Sequence, residues 1–391
     1  MNAPSDDPVA APNPRPPRAA PAQEWLELFY DLVFVASIVV LSAAYSKGTT
    51  WAEVGWLLLV FSMMWTTWLC TTLLLNRVRL TGPWMRTLLV GQMILVLLMA
   101  LASDDSLRDS TGWVGPVFSG ILVILALLYH SAARHQPRMR DELRGPTIRC
   151  LVAAAMFLPS AAFGDNWYAI VWLVGIVIVL LPGKPTAPAV EIDAHHLIHR
   201  FGEFTIIMLG ESFVKVGLVA TEEPLDRVDL IGLPLTFALV FAIWWLYFTD
   251  IPGDGLPSTH GRQITWMLGH FPLHLCITAV AVGMAKLLLP AHQASASTSV
   301  RYVAVPLTVI AAGLAVINWS VGTPVARRRA RLDLYGAIAL VLVWLVLIGV
   351  DSHDLEATAI SVTAVLAVLA WRTRGIPDPS AEGVASTSPG L

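Results

Sequence analysis

Residues 203–218 read EFTIIMLGESFVKVGL. The stretch is apolar enough for a bilayer, yet it carries Glu203, Glu211 and Lys215. An ionised group at a bilayer centre costs from about 3 to over 10 kcal/mol. Three such groups in one helix therefore need a protein interior, a polar cavity or one another to face. At about 100° per residue, Glu211 lies about 80° around the helix from Glu203, and Lys215 about 40° further. All three fit one broad side, with Ile206, Phe213 and Val216 expected on the other. Glu211 and Lys215 also stand in the favourable order for an i,i+4 ion pair.

The rest of the chain agrees with a membrane setting. It has 391 residues, 56% hydrophobic and 14% charged, with a mean hydropathy of +0.66; a soluble domain is about 25% charged. The apolar runs are too long and too unbroken for barrel strands. The expected class is an all-α, polytopic transmembrane helical bundle. A net charge of −3 gives no reason to expect a nucleic-acid partner. Cys70, Cys150 and Cys276 show no CxxC or Cys/His spacing and read as small apolar residues. Residues 1–22 and 373–391, rich in Pro, Ala, Ser and Gly, read as disordered cytoplasmic tails. Residues 1–22 lack the basic start and apolar core of a signal peptide.

Twelve spans are expected, near 25–46, 51–75, 84–102, 113–133, 147–163, 167–182, 197–220, 230–249, 264–289, 301–321, 334–350 and 356–372. The fifth and sixth are short, separated only by GDN at 164–166. Loops after even-numbered spans hold most of the arginines, including RRRAR at 327–331. Loops after odd-numbered spans hold most of the acids, among them Asp104, Asp105, Glu222 and Glu223. The positive-inside rule then places both termini in the cytoplasm, with the protein in the bacterial inner membrane.

PGKPTAPAVEID, 182–193, is the long polar interruption. It divides the chain into a first half, 23–182, a cytoplasmic linker, 183–194, and a second half, 195–372. Setting Asp31 on Glu211, an offset of 180 residues, lays VFSMMWTTW (60–68) over VFAIWWLYF (240–248) and Trp65 over Trp245. This predicts a parallel six-plus-six repeat, with Asp31 and Glu211 as counterparts at one depth.

Two stretches, EWLELFYDLVFVASIVVLS (24–42) and HHLIHRFGEFTIIMLGES (195–212), resemble the bacterial low-temperature-requirement A family. Glu27 to Val35 match that family's Glu-Leu-Phe-aromatic-Asp-Leu-Val-Phe-Val run. His196, Leu197, Arg200, Phe201, Gly202, Phe204, Leu209, Gly210, Glu211 and Ser212 match its second motif. The chain departs where the family has Glu, here His199, and Leu, here Glu203, as if a carboxylate had moved one turn along the helix. The resemblance implies a multi-pass bacterial membrane protein linked by name to growth in the cold, without a defined biochemical activity.

Asp31, Glu211, Lys215, Arg200, His270 and His274 are the candidate lining of a substrate or ion pathway. His270 and His274 flank Pro272, which frees a backbone carbonyl and kinks the ninth span, leaving it either a broken, polar cavity lining or a kinked packing helix. His196, His199 and Glu203, spaced i, i+3, i+7, form a candidate proton relay. There is no Walker loop, Gly-x-Ser-x-Gly or His-Glu-x-x-His motif, so no catalytic set, cofactor or metal site is expected. The partners expected are membrane lipids and a small solute or ion; no oligomeric state is fixed. Three readings follow: a transporter or channel, a membrane enzyme acting on a lipid-like substrate through interfacial acid–base groups, or a non-catalytic membrane protein supporting cold growth.

Overall fold

The computed structural model describes residues 21–46, 51–80, 82–103, 113–159, 167–181, 192–222, 232–287 and 300–349, with five further positions between 364 and 372. Among these residues every regular element is helical. In chain order they are α1 (Pro21–Ser46), α2 (Trp51–Arg77), α3 (Gly82–Ala102), α4 (Val114–His135), α5 (Arg140–Phe157), α6 (Trp167–Leu180), α7 (Ala194–Glu222), α8 (Gly232–Asp254), α9 (His260–Leu287), α10 (Val305–Val321) and α11 (Pro324–Gly349). A 3-10 turn, Pro137–Met139, precedes α5, and a π turn, Val300–Ala304, leads into α10.

Among the described residues six segments are long and apolar enough to cross a membrane: Ala22–Ala43, Ala52–Arg77, Gly82–Ala102, Val114–His135, His260–Ala285 and Tyr302–Val321. Ala169–Leu180 and Leu233–Thr249 are shorter apolar helices. Large apolar side chains such as Ile94, Leu98, Leu173, Val177, Leu342 and Leu345 point outward, as they do on helices bathed in lipid. The chain is a multi-pass membrane protein. Most of the expected twelfth span, the GDN junction and most of both tails and of the linker lie outside the described residues.

Several expected boundaries move. The first helix begins at Pro21, inside the expected tail. The fifth begins at Arg140 instead of 147, with Asp141 and Glu142 in its first turn complementing the helix dipole. RRRAR, expected as a loop, is helical. Thr323 caps the Ala326 amide at 3.1 Å and Pro324 takes the first helical position, so α11 starts before the arginines. The ninth helix is unbroken: α9 runs through Pro272.

Helix packing places the site. α1 and α7 lie side by side and point the same way. His196 meets Glu27, Arg200 meets Asp31, and Glu211 meets Ser42, three contacts with one separation of 169 residues. Asp31 therefore lies level with Arg200. Glu211 lies eleven residues, about 16 Å, further along. The expected placing of Asp31 and Glu211 at one depth is wrong, and with it the offset of 180. Trp65 is buried whereas Trp245 is 40% exposed. The pattern of neighbours nevertheless recurs. α1 packs on α2 and α3, α3 on α4, α4 on α5, and α2 on α4. In the second half α7 packs on α8 and α9, α9 on α10, α10 on α11, and α8 on α10.

Candidate functional site

The seam between α1 and α7 begins with a cap. Asp193 Oδ1 accepts from the His196 amide at 3.0 Å, which starts α7 in the usual way. Asn76, at the end of α2, clasps the same residue. Its Nδ2 donates to the Asp193 carbonyl at 2.9 Å, and its Oδ1 accepts from the Asp193 amide at 3.0 Å. These two bonds fix the amide's orientation, so Nδ2 also faces His196 Nδ1, 3.2 Å away. An amide N–H can only donate. His196 Nδ1 therefore accepts, and Nε2 carries the hydrogen; Nε2 lies 3.0 Å from Glu27 Oε2, a close contact in which Oε2 has no well-aligned hydrogen-bond donor.

Below this point Arg200 joins three carboxylates. Its guanidinium reaches Asp31 Oδ1 at 2.6 Å, Glu203 Oε2 at 3.2 Å and Glu27 Oε2 at 3.5 Å. Arg200, Glu27 and Asp31 are at most 2% exposed; Glu203 is part-exposed and also meets His199 at 3.2 Å. Gln23 donates to Glu27 Oε1 at 2.8 Å, and Trp68 Nε1 donates to Asp31 Oδ1 at 2.8 Å. Asp31 Oδ2 has no hydrogen-bond partner. One guanidinium amid two fully buried carboxylates leaves negative charge in excess, which is costly in a dry interior unless a proton or cation balances it.

Glu27, Arg200 and Glu203 of this cluster form the floor of a cavity of about 460 Å³, whose walls include Glu24, Asn76, Arg79, Asp193, His195 and His199; Asp31 lies behind them, fully buried. Arg77, also on its wall, is held by Glu142 of α5. His196, just outside the expected span 197–220, sits half-buried here. Burial works against its charged form, but the close contact with Glu27 and that residue's charge outweigh it, raising its pKa above the ordinary histidine value.

Further along the seam, Glu211 accepts from Ser42 at 2.9 Å and lies 3.8 Å from Lys215. Both charged residues are buried, as is Val216 on the apolar side expected to suit lipid or another helix. Ile206 and Phe213 do face outward. Glu211 Oε2 has no hydrogen-bond partner.

His270 and His274 are fully buried on the other flank of α7. Trp65 Nε1 donates to His274 Nδ1 at 3.1 Å, and His274 Nε2 meets Thr205 Oγ1 at 2.9 Å. The Thr205 hydroxyl already donates to the Phe201 carbonyl, so it accepts from His274. His270 Nδ1 donates to the Trp266 carbonyl at 2.8 Å, and its Nε2 meets the Tyr247 hydroxyl at 3.1 Å. Each ring is thus saturated by neighbours.

The structure brings Asp31, Arg200, Glu203, His196 and His199 into one cluster, keeps Glu211 with Lys215 as a separate one, and sets His270 and His274 beside neither. Sequence reasoning missed Glu27, Asn76, Trp65 and Trp68 as site residues. Gln23, Glu27 and Asp31 stand four apart on one helix face, a readable signal for Glu27; nothing local marked Asn76. Among the described residues no three His, Cys, Asp or Glu side chains converge as a metal site would require.

Residues 22–371 match the sequence model described as bacterial low temperature requirement A protein. An uncharacterized protein of Rhizobium meliloti (strain 1021) is 24% identical over 279 residues, covering 66% of this chain and 67% of that one. No solved structure matches.

Proposed function

The chain belongs to the bacterial low temperature requirement A family, and from that premise we propose that it is a transporter or channel moving a small solute or ion along the seam between α1 and α7. The observation that carries this reading is the open polar cavity of about 460 Å³ whose floor holds Glu27, Arg200 and Glu203, with Asp31 buried behind Arg200. A merely structural ion pair needs no cavity above it and no surplus carboxylate. Ionisable groups kept within a membrane protein mark substrate and ion paths by default.

The reading includes twelve spans, arranged as parallel halves of six, in the bacterial inner membrane with both termini cytoplasmic. The recurring helix neighbours and the common direction of α1 and α7 support the duplication. The arginine-rich segments after even-numbered helices support the orientation. The tails, 1–22 and 373–391, and the linker, 183–194, then lie on the cytoplasmic side, with the cavity opening toward it.

The histidines and carboxylates around the cavity favour one alternative, a membrane enzyme using the His196–Glu27 pair for acid–base chemistry. Purified protein in liposomes, tested against a panel of ions and small solutes, decides between them. Flux of at least one species, reduced tenfold or more by Asp31→Asn, supports transport. Absence of flux across the panel, or full flux in Asp31→Asn, removes it.

A further inference from the structure

We propose that the cavity is an exchange site at which a proton on His196 and a small monovalent cation beside Glu27 exclude one another. This rests on the transport reading above and names the class of species that the site handles.

The argument begins with charge. Arg200, Glu27 and Asp31 are almost wholly buried and set one guanidinium against two carboxyl groups. Asp31 takes the shortest contact to the guanidinium, 2.6 Å, while Glu27 is held at 3.5 Å. The more weakly paired carboxylate is therefore Glu27, the one of the two that lines the cavity. Two kinds of species can balance it there. One is a proton on His196, whose Nε2 lies 3.0 Å from Glu27 Oε2. The other is a cation in the cavity. At about 460 Å³ against roughly 30 Å³ per liquid water, the cavity admits a partly hydrated alkali ion or a small ammonium.

Other charged groups surround this pair. From α1, Glu24 adds negative charge. From the end of α2, Arg77 is held by Glu142, and Arg79 lines the outer wall. On α7 and its cap, Asp193 is engaged by the His196 amide, Arg200 by its carboxylates, and Glu203 by Arg200 and His199; His195 lies on the wall.

Asn76 makes the two states different in shape. Its Nδ2 faces His196 Nδ1, so the arrangement seen here fits a neutral imidazole. A second proton on Nδ1 would set donor against donor and loosen the clasp of α2 on the start of α7. Proton loading strengthens the contact with Glu27 and weakens the contact with Asn76. Cation loading does the reverse, because the cation satisfies Glu27 and lowers the hold on the proton. The raised proton affinity of His196 fits this sharing.

The test is proton release. Purified protein in detergent, weakly buffered near pH 7 with an indicator dye, receives sodium, potassium or methylammonium chloride, with N-methylglucamine chloride as the ionic-strength control. The expected result is release of up to about one proton per chain by at least one of the three cations, lost in His196→Gln and in Glu27→Gln. The alkali arms and the methylammonium arm distinguish a metal ion from an amine. Because Glu27→Gln alters a buried cluster, the thermal stability of the unmodified protein gives a second readout. The same cation should raise the melting temperature more at pH 8 than at pH 5.5. Absence of release, release undiminished in His196→Gln, or stabilisation independent of pH overturns the proposal. Release without flux in liposomes keeps this site and removes the transport reading; flux without release does the opposite.

Discussion

At the scale of single residues, Arg200 carries the greatest burden. Its guanidinium serves Asp31, Glu203 and Glu27 at once, which a planar fork of five donors can do and a lysine ammonium cannot. Arg200→Met leaves buried carboxylates without a counter-charge. Breaking such a set costs about 3–5 kcal/mol, so the yield of folded protein on size exclusion should collapse, and Arg200→Lys should rescue it only in part. His196 gives a prediction in pH. Its folded-state pKa is raised, so its contact with Glu27 contributes stability fully below the unfolded histidine value. That contribution is lost as pH rises through the raised folded value. The melting temperature of the unmodified protein should therefore fall across that window by more than that of His196→Gln. Equal falls would show that the contact carries no linkage.

At the scale of elements, α7 explains how a helix with three charges settles in a membrane protein. Glu203 meets Arg200 and His199 near the cavity, and Glu211 with Lys215 is covered by α1 through Ser42. Glu211→Gln should strand Lys215 and reduce folded protein; adding Lys215→Ala should restore folding. Flux should stay low in the double variant if Glu211 lies on the path, and recovered flux would make the pair structural only. A second element-level test sits where α9 meets the π turn. A Cβ on Gly283 would come within 2.7 Å of the Tyr302 backbone oxygen and Cβ. Backbone cannot yield as a side-chain tip does, so Gly283→Ala should cost about 1–3 kcal/mol of stability, read as a lower melting temperature. Gly210, whose added Cβ meets nothing within 4 Å, is the control.

At the scale of the whole molecule, the shared direction of α1 and α7 requires an odd number of complete crossings between them, as the five helices α2–α6 supply. That is a stronger constraint on topology than hydropathy gives for α6, which has 14 residues. The orientation is tested by a single cysteine at position 328 in a background without Cys70, Cys150 and Cys276. An impermeant thiol reagent applied outside intact cells should leave Arg328→Cys unlabelled and label it after lysis. Labelling in intact cells would invert the proposed topology.

The sequence by itself determined the class of the protein, because long apolar runs are a local property that one helix either has or lacks. It also marked Asp31, Arg200 and Glu211, because a charge in such a run stands out wherever its partner is. Partners were another matter. Glu27 looked like part of a motif and Asn76 like the end of a span, and only the packing of α1, α2 and α7 made them the walls of one cavity. Depth was equally hidden. Laying the halves over one another at an offset of 180 matched letters, whereas the helices align at a separation of 169, because side-by-side register is set by contacts such as Arg200 with Asp31. Helix starts moved for a local reason that hydropathy ignores: Thr323 with Pro324, and Asp141 with Glu142, begin helices in polar sequence. A linear chain displays its composition and its caps, but which charge neutralises which is decided only where helices distant in sequence close on each other away from water.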